Sequence, residues 1–430
     1  MQVLAAWHRA DSRRTTGSPE PMAATNLSTD FQGKRSRVFK MSFIMGLLTV
    51  LTLGFYRFWM KTRLRRYYWS SIRPGGHPLE YVGDPLEKLL GFFIAVVILA
   101  FYIGVVNLIL MFVSFSLFDG NTVAYFASFI GVIPIWFYAR YRARRYVFAR
   151  TRWRGIRFGV DPAAWGYAWR ALVYWALTIC SLTLLWPLMT HRLEKYRWDR
   201  TWYGDRQFEQ GGTARSLAKG MIPFWLVLFG GVGFTALAVI GAEDEFESLP
   251  FYLEESVIDV ALGFSLLLLP LLAITFAYYT VRSFRILTEN KTAGGVNFQS
   301  KARAPRVIGI YVLGYALTGF LTSILAIGVG LLYLFILFAG AGTEFSFDDL
   351  DNLTAPGAVL QAVGIAMYFV VFVIWATLRH VFITLPVWRH YAETLTVVGT
   401  ESIYEIRQRN RDEHRDAEGF AEALDLGAAI

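Results

Sequence analysis

Arg142-Ala143-Arg144-Arg145-Tyr146-Val147-Phe148, followed past a glycine by Ile156-Arg157-Phe158-Gly159, is the stretch on which the fold turns. Arg142 and Arg145 are three apart and share one face of a helix. A tyrosine follows, then a second aromatic two residues on, a glycine turn, and an aromatic in an extended segment. The same order recurs at Arg192, Lys195 and Tyr196, with Trp198 and then Gln207-Phe208-Glu209-Gln210-Gly211. It recurs again at Arg63, Arg66 and Tyr67, with Trp69 and Leu79-Glu80-Tyr81-Val82-Gly83, and at Arg282, Arg285 and Ile286, with Val296-Asn297-Phe298. The spacing from Tyr146 to Phe158 equals that from Tyr196 to Phe208. A fainter fifth copy lies at Trp388-Arg389-His390-Tyr391 and Glu401-Ser402-Ile403-Tyr404, and Phe31-Gln32-Gly33 reads as a lone strand before the first. Four matched sets indicate an internal repeat, and Trp69, Phe148 and Trp198 suit an aromatic belt at a membrane surface.

Long apolar runs separate the copies, at about 41–60, 89–118, 122–139, 164–190, 219–242, 256–281, 306–341 and 357–388. About 20 apolar residues cross a bilayer as helix. Of the 430 residues, 55% are hydrophobic and 17% charged, whereas soluble domains carry about a quarter charged. That balance excludes a disordered chain or one that coats nucleic acid. The net charge of +9 is gathered in blocks between the runs, such as Lys61-Thr62-Arg63-Leu64-Arg65-Arg66. Three connections lack Lys and Arg: Asp119-Gly120-Asn121, the acidic run from Glu243 to Asp259, and the run from Glu344 to Asp351. The positive-inside rule puts the basic blocks, and both termini, on the cytoplasmic side. Segments 41–60 and 164–190 have basic flanks on both sides. Breaks at Thr52-Leu53-Gly54 and Ser181-Leu182-Thr183 suit re-entrant hairpins, which need cover from protein or water; eight plain spans are the alternative.

The expected fold is therefore an all-α polytopic membrane protein, made of parallel internal repeats of helical hairpins (about 41–60, 89–139, 164–190, 219–281 and 306–388). Short β segments form a small cytoplasmic layer, because strands this short need partners. Residues 31–406 make the transmembrane domain. Residues 1–30, in which Met22 is an alternative start to Met1, form a disordered tail without the apolar core of a secretory signal, and 407–430 a charged mobile one.

Little chemistry is legible. Cys180 is the single cysteine and the six histidines form no HExxH pattern, so no disulfide, metal or cofactor is expected. No catalytic motif is present, and the chain reads as a non-enzyme. The basic pairs Arg63/Arg66, Arg142/Arg145, Arg192/Lys195 and Arg282/Arg285 suggest a cationic vestibule for anionic headgroups or solutes. Thr318 and Thr322, at i and i+4, with Arg379 and His380 near the inner interface, are candidates to line a cavity. A passive transporter, channel or lipid-handling protein follows; the alternative is a scaffold or accessory subunit whose basic pairs only set topology. The expected partners are the phospholipid bilayer and its anionic lipids, with no nucleic acid.

The run from Thr52 to Trp69 (Thr52-Leu53-Gly54-Phe55-Tyr56-Arg57-Phe58-Trp59-Met60-Lys61-Thr62-Arg63-Leu64-Arg65-Arg66-Tyr67-Tyr68-Trp69), with Leu79-Glu80-Tyr81-Val82-Gly83 after it, resembles the signature of the YjgN-like bacterial inner-membrane proteins. Phe31-Gln32-Gly33-Lys34 fits that family's opening strand, whereas Ser70-Ser71 stands where it usually shows Asn-Thr. The likeness is good over about 31–100 and looser, carried by the repeats, to about 405. It implies a polytopic protein of the bacterial inner membrane and brings no substrate, cofactor or catalytic residue.

Overall fold

A computed structural model describes residues 26–118, 122–241, 255–341 and 358–409. Most of both expected tails, Asp119-Gly120-Asn121 and most of the two longer acidic connections lie outside the described residues.

Three pairs of helices are long: α3 (Pro85–Phe118) and α4 (Thr122–Ala149), α7 (Ala214–Gly241) and α8 (Glu255–Glu289), and α9 (Ala304–Ala341) and α10 (Ala358–Arg379). A π-helical turn, His380–Thr384, carries α10 into α11 (Leu385–Glu393). The start of α3 follows from its sequence: the Asp84 carboxylate accepts the Leu86 N–H at 3.1 Å, and Pro85 presets the first turn. Five stretches are long and apolar enough to cross a bilayer: Pro85–Val113, Ala214–Ala236, Leu266–Glu289, Ala304–Leu337 and Ala358–Glu393. They leave large side chains such as Phe101, Leu108, Leu269 and Phe335 exposed, as helices apolar on all faces do when lipid is the solvent.

The other two pairs, α1 (Arg35–Leu51) with α2 (Arg57–Ser71) and α5 (Ala164–Cys180) with α6 (Trp186–Trp198), are short and break where the sequence marks a break. Both breaks are built alike. Gly54 N–H donates to Thr49 O at 2.7 Å, and Thr183 N–H to Thr178 O at 2.8 Å. The hydroxyl oxygens of Thr52 and Ser181 accept the N–H groups of Tyr56 and Leu185.

The strands depart from expectation. They are β1 (Leu27–Phe31), β2 (Ile72–Pro74), β3 (Leu79–Tyr81), β4 (Thr151–Trp153), β5 (Ile156–Val160), β6 (Thr201–Tyr203), β7 (Arg206–Gln210), β8 (Lys291–Ala293), β9 (Val296–Ser300) and β10 (Leu395–Val398). All ten join one antiparallel sheet of order β2-β1-β10-β9-β8-β7-β6-β5-β4-β3. Its end strands, β2 and β3, are consecutive in the chain and touch, so the sheet curls into a nearly closed barrel. This corrects the all-α expectation with its small β layer: the helices stand on a ten-stranded barrel. The physical reason is burial. Strands of three to five residues cannot hold alone, but a ring of hairpins encloses one face and leaves few open edges.

Helices α2, α4, α6, α8 and α11 run directly into β2, β4, β6, β8 and β10. Tight turns then reverse the chain; at Arg154-Gly155 and Gly294-Gly295 both residues have positive φ, the geometry that suits a two-residue hairpin. The fifth hairpin has no turn. It joins the two ends of the chain, with Leu27 opposite Val397 and Ser28 opposite Thr396. Between β2 and β3 no ladder pairing forms among the described residues, because Pro74 and Pro78 flank the turn and neither has an N–H to give.

The barrel core holds Trp153, Tyr203, Phe208, Ala293, Val296, Val397, Ile403 and Ile406. The last two come from α12 (Thr400–Glu405) and the residue after it, which close the turn end. Arg407 and Asp205 fix this closure, with Asp205 N–H donating to Arg407 O at 3.0 Å and Arg407 N–H to Asp205 Oδ1 at 3.2 Å.

Candidate functional site

Inside the barrel lies a cavity of about 360 Å³, within the size range of small-molecule sites. Its wall alternates as strand geometry demands, inward residues being every second one: Thr151 and Trp153 on β4, Lys291 and Ala293 on β8, Val296 and Phe298 on β9, Leu395 and Val397 on β10. Phe158, Phe208 and Phe298 stack across neighbouring hairpins, with ring centroids 6.5 and 5.9 Å apart. At the helix end the lid is aromatic: Trp69, Phe148, Trp198, Phe284 and Trp388 all line the cavity. Trp69, Phe148 and Trp198 thus turn into the barrel rather than forming the membrane belt their type suggested.

Lys291 is the one charged residue among those lining this wall. It is 7% exposed, and behind it sits a partly buried cluster, with the side chains of Arg197 and Glu194 23% and 18% exposed. Glu194 Oε1 accepts the Trp198 Nε1–H at 2.7 Å, its Oε2 accepts Arg197 Nη2–H, and Lys291 Nζ lies 3.7 Å from Oε1. Lys291 Nζ and the Arg144 guanidinium both stack on the Trp198 ring, at 4.2 and 4.8 Å, and Arg144 also lies 4.5 Å from the Phe148 ring centroid. Arg144 Nε and Nη2 are buried with no hydrogen-bond partner among the described residues. Burial pulls Lys291 down to about 8, with Glu194 opposing; burial and the like charge of Arg197 pull Arg144 down to about 10. For Glu194, burial disfavours the charge, but Arg197, Lys291 and Arg144 outweigh it and hold the carboxyl below the usual carboxylate range. Three cations therefore share one carboxylate. Cation–π contact returns about 0.5–2 kcal/mol per cation, whereas taking an ion out of water costs several kcal/mol, so the rings alone do not offset the excess charge.

A second crevice, of about 610 Å³, lies at the β2/β3 seam, lined by Arg37, Arg63, Arg66, Tyr67, Arg73 and Leu79 among others. Leu79 also lines the barrel cavity, so it stands between the two. A third, of about 360 Å³, includes Tyr138, Arg142, Arg145 and Trp165. The expected basic pairs are thus found at separate places. Arg63 and Arg66 sit at the seam, where Arg66 Nη2–H donates to Gly83 O at 2.7 Å. Arg142 donates to Tyr138 Oη at 3.0 Å and Arg282 to Tyr278 Oη at 2.7 Å, while Lys195 reaches Gln210 O at 2.9 Å. Arg285 pairs with Glu289 at 2.9 Å, and Arg192 is exposed. Thr318 is fully buried on α9, its hydroxyl and that of Thr322 without partners in the described residues. Arg379 stacks on Trp375, and His380 begins the π-helical turn.

Lys291, Glu194, Arg144 and Arg197 are absent from the sequence-derived candidates. A signal was available: aligned on Phe158, Phe208 and Phe298, Lys291 occupies the place of Thr151 and Thr201. Those threonines satisfy themselves, donating to Val147 O and Arg197 O at 2.8 Å. A lysine in that place has no such local solution.

A family model described as "Bacterial protein of unknown function (DUF898)" matches residues 26–423, the family to which the YjgN-like resemblance pointed. No curated protein and no solved structure matches the chain.

Proposed function

Taking as premise that the chain belongs to the DUF898 family of bacterial proteins, we propose that it is an integral inner-membrane protein that handles lipid. Its helices anchor the barrel at the cytoplasmic face, and the barrel cavity holds the acyl part of an amphiphile. The observation that carries this reading is a half-open, almost wholly apolar cavity at the foot of helices long and apolar enough to span. A cavity of about 360 Å³ falls within the size range of small-molecule sites.

Charge supports the orientation: Arg and Lys gather at the barrel end of the helices, which the positive-inside rule assigns to the cytoplasm. We read the helix–hairpin units as copies of one repeat, and the short pairs α1/α2 and α5/α6 as re-entrant. A 17-residue helix such as α1 or α5 is about 26 Å long, short of the roughly 30 Å apolar core. Their tips carry exposed Leu53 and Leu182, and the breaks satisfy their own backbone donors, as an excursion into lipid requires.

The test is to extract protein held in lipid nanodiscs and to measure acyl chains bound beyond the disc lipid, using brominated chains to quench cavity tryptophan. Ala293→Phe, which fills the cavity with apolar bulk, should abolish that quenching. Equal quenching in this variant, or none in the parent, sinks the reading.

A further inference from the structure

We propose that the ligand of the barrel cavity is a single-chain amphiphile with an acidic headgroup, a carboxylate or a phosphate monoester, seated against Lys291 with Arg144 and Arg197 behind it. This rests on the reading of the cavity as an acyl site and adds the chemistry of the head.

The first argument is charge. Among the described residues Glu194 is the one carboxylate acting on Arg144, Arg197 and Lys291, which leaves two positive charges uncompensated in a largely buried place. Buried charges are ordinarily paired. The second is hydrogen bonding. Both oxygens of Glu194 already hold a donor, from Trp198 and Arg197, and Lys291 stands off at 3.7 Å, longer than a direct hydrogen bond. Arg144 keeps two buried N–H positions without an acceptor. An incoming acidic group would supply both the charge and the acceptors, and charge-assisted bonds are the strong kind.

The third argument is placement. Lys291 opens β8 at the end of the barrel next to the helices, while the wall runs on through Ala293, Val296 and Val397 to Ile403 and Ile406 at the closed end. A head at Lys291 therefore leaves its chain pointing down an apolar bore. Three hydroxyl-bearing residues line the wall, Thr151, Tyr203 and Thr288; that of Thr151 accepts Trp69 Nε1–H and donates to Val147 O, and that of Tyr203 donates to Trp153 O at 2.9 Å. The one charged group on the wall is the lysine. A cavity of about 360 Å³ is near the lower end of the range of small-molecule sites, which suits a single chain.

The experiment titrates the full chain in nanodiscs with dodecanoate, dodecyl phosphate, dodecanol, dodecyltrimethylammonium and inorganic phosphate, read by tryptophan fluorescence and calorimetry. Both acidic amphiphiles should bind at least tenfold more tightly than dodecanol, and the cationic one more weakly than dodecanol. Lys291→Met should cost the acids at least tenfold and leave dodecanol unchanged. Lys291→Thr, the residue found at positions 151 and 201, is the second variant should the methionine disturb folding. Equal affinity for acid and alcohol overturns the acidic head while the acyl site stands. Binding of inorganic phosphate as tight as dodecyl phosphate overturns the amphiphile in favour of a free anion. If no chain compound binds at all, the acyl reading itself fails.

Discussion

Glu194→Gln isolates the charge on which the cluster depends. Glutamine keeps a carbonyl oxygen for the Trp198 Nε1–H, bound at 2.7 Å in the parent, and keeps the volume, so what is lost is the counter-ion of Arg144, Arg197 and Lys291. Removing one partner from a fully buried ion pair costs about 3–5 kcal/mol, because the remaining charge is left uncompensated, and this partly buried one should fall at the lower end, about 3 kcal/mol. The control is Glu289→Gln, which breaks an i,i+4 pair with Arg285 at 2.9 Å on exposed helix surface; such pairs are worth about 0.3–0.5 kcal/mol. Urea unfolding in mild detergent, followed by tryptophan fluorescence, should show a loss at least about sixfold larger for Glu194→Gln than for the control. The pH dependence carries a second signature. The carboxyl of Glu194 is depressed in the folded chain, so its contribution is complete above the unfolded value of about 4.3 and is lost as pH falls below it. The difference between parent and variant should stay level from pH 5 to 7 and shrink under more acid conditions. A loss no larger than that of the Glu289→Gln control would refute the assignment of Glu194 as the cluster's counter-ion.

Lys291 titrates near 8 in the fold and about 10.4 when unfolded. Its burial, beside Glu194 and Arg197 on α6 and Arg144 on α4, thus disfavours the folded state at neutral pH. Between about pH 8 and 10.4 the unfolded chain binds more protons, so stability should rise with pH across that window by about 3 kcal/mol; Lys291→Met should flatten the rise, and an unchanged slope would refute it. Gly399→Ala places a Cβ 2.5 Å from Gly295 O at a φ of +89°, which should cost about 1–3 kcal/mol and loosen the closure made by residues 400–407. Hydrogen exchange there should quicken while β4 to β7 stay protected; uniform protection in both proteins would count against a closure hinged at Gly399.

Much of this arrangement is visible in the chain and some is hidden for physical reasons. Phe158, Phe208 and Phe298 could be aligned because each follows a glycine turn at fixed spacing, and they do stack across the barrel. The first strand of each hairpin, such as Thr151–Trp153 or Lys291–Ala293, is three residues long and continues a helix with little turn chemistry to announce it, so it reads as helix end. The fifth hairpin pairs Leu27 with Val397, and no local pattern can join residues at opposite ends of the chain. Trp69, Phe148 and Trp198 were legible as aromatic but not as inward-facing, since their direction depends on a sheet formed by other segments. Glu194 sits in a basic block, where an acid passes for one partner of a solvated pair.

The hidden closure also constrains how a ligand reaches the cavity. Opening the barrel between most of its strands breaks ladder hydrogen bonds, each exposing buried backbone groups at about 1–3 kcal/mol. At the turn end, the segment from Gly399 to Arg407 is held by hydrogen bonds to the backbone N–H and the carboxylate of Asp205 and by Ile403 and Ile406 in the core. The β2/β3 seam has no ladder to break, because Pro74 and Pro78 removed it, and there Leu79 alone is common to the apolar cavity and the crevice that holds Arg37, Arg63, Arg66 and Arg73. A rotation of one leucine side chain costs far less than a broken strand pair. Arg63 and Arg66, one of the basic pairs marked in the sequence, line that crevice, so on the proposed reading they flank the approach to the cavity while Lys291 meets the ligand inside.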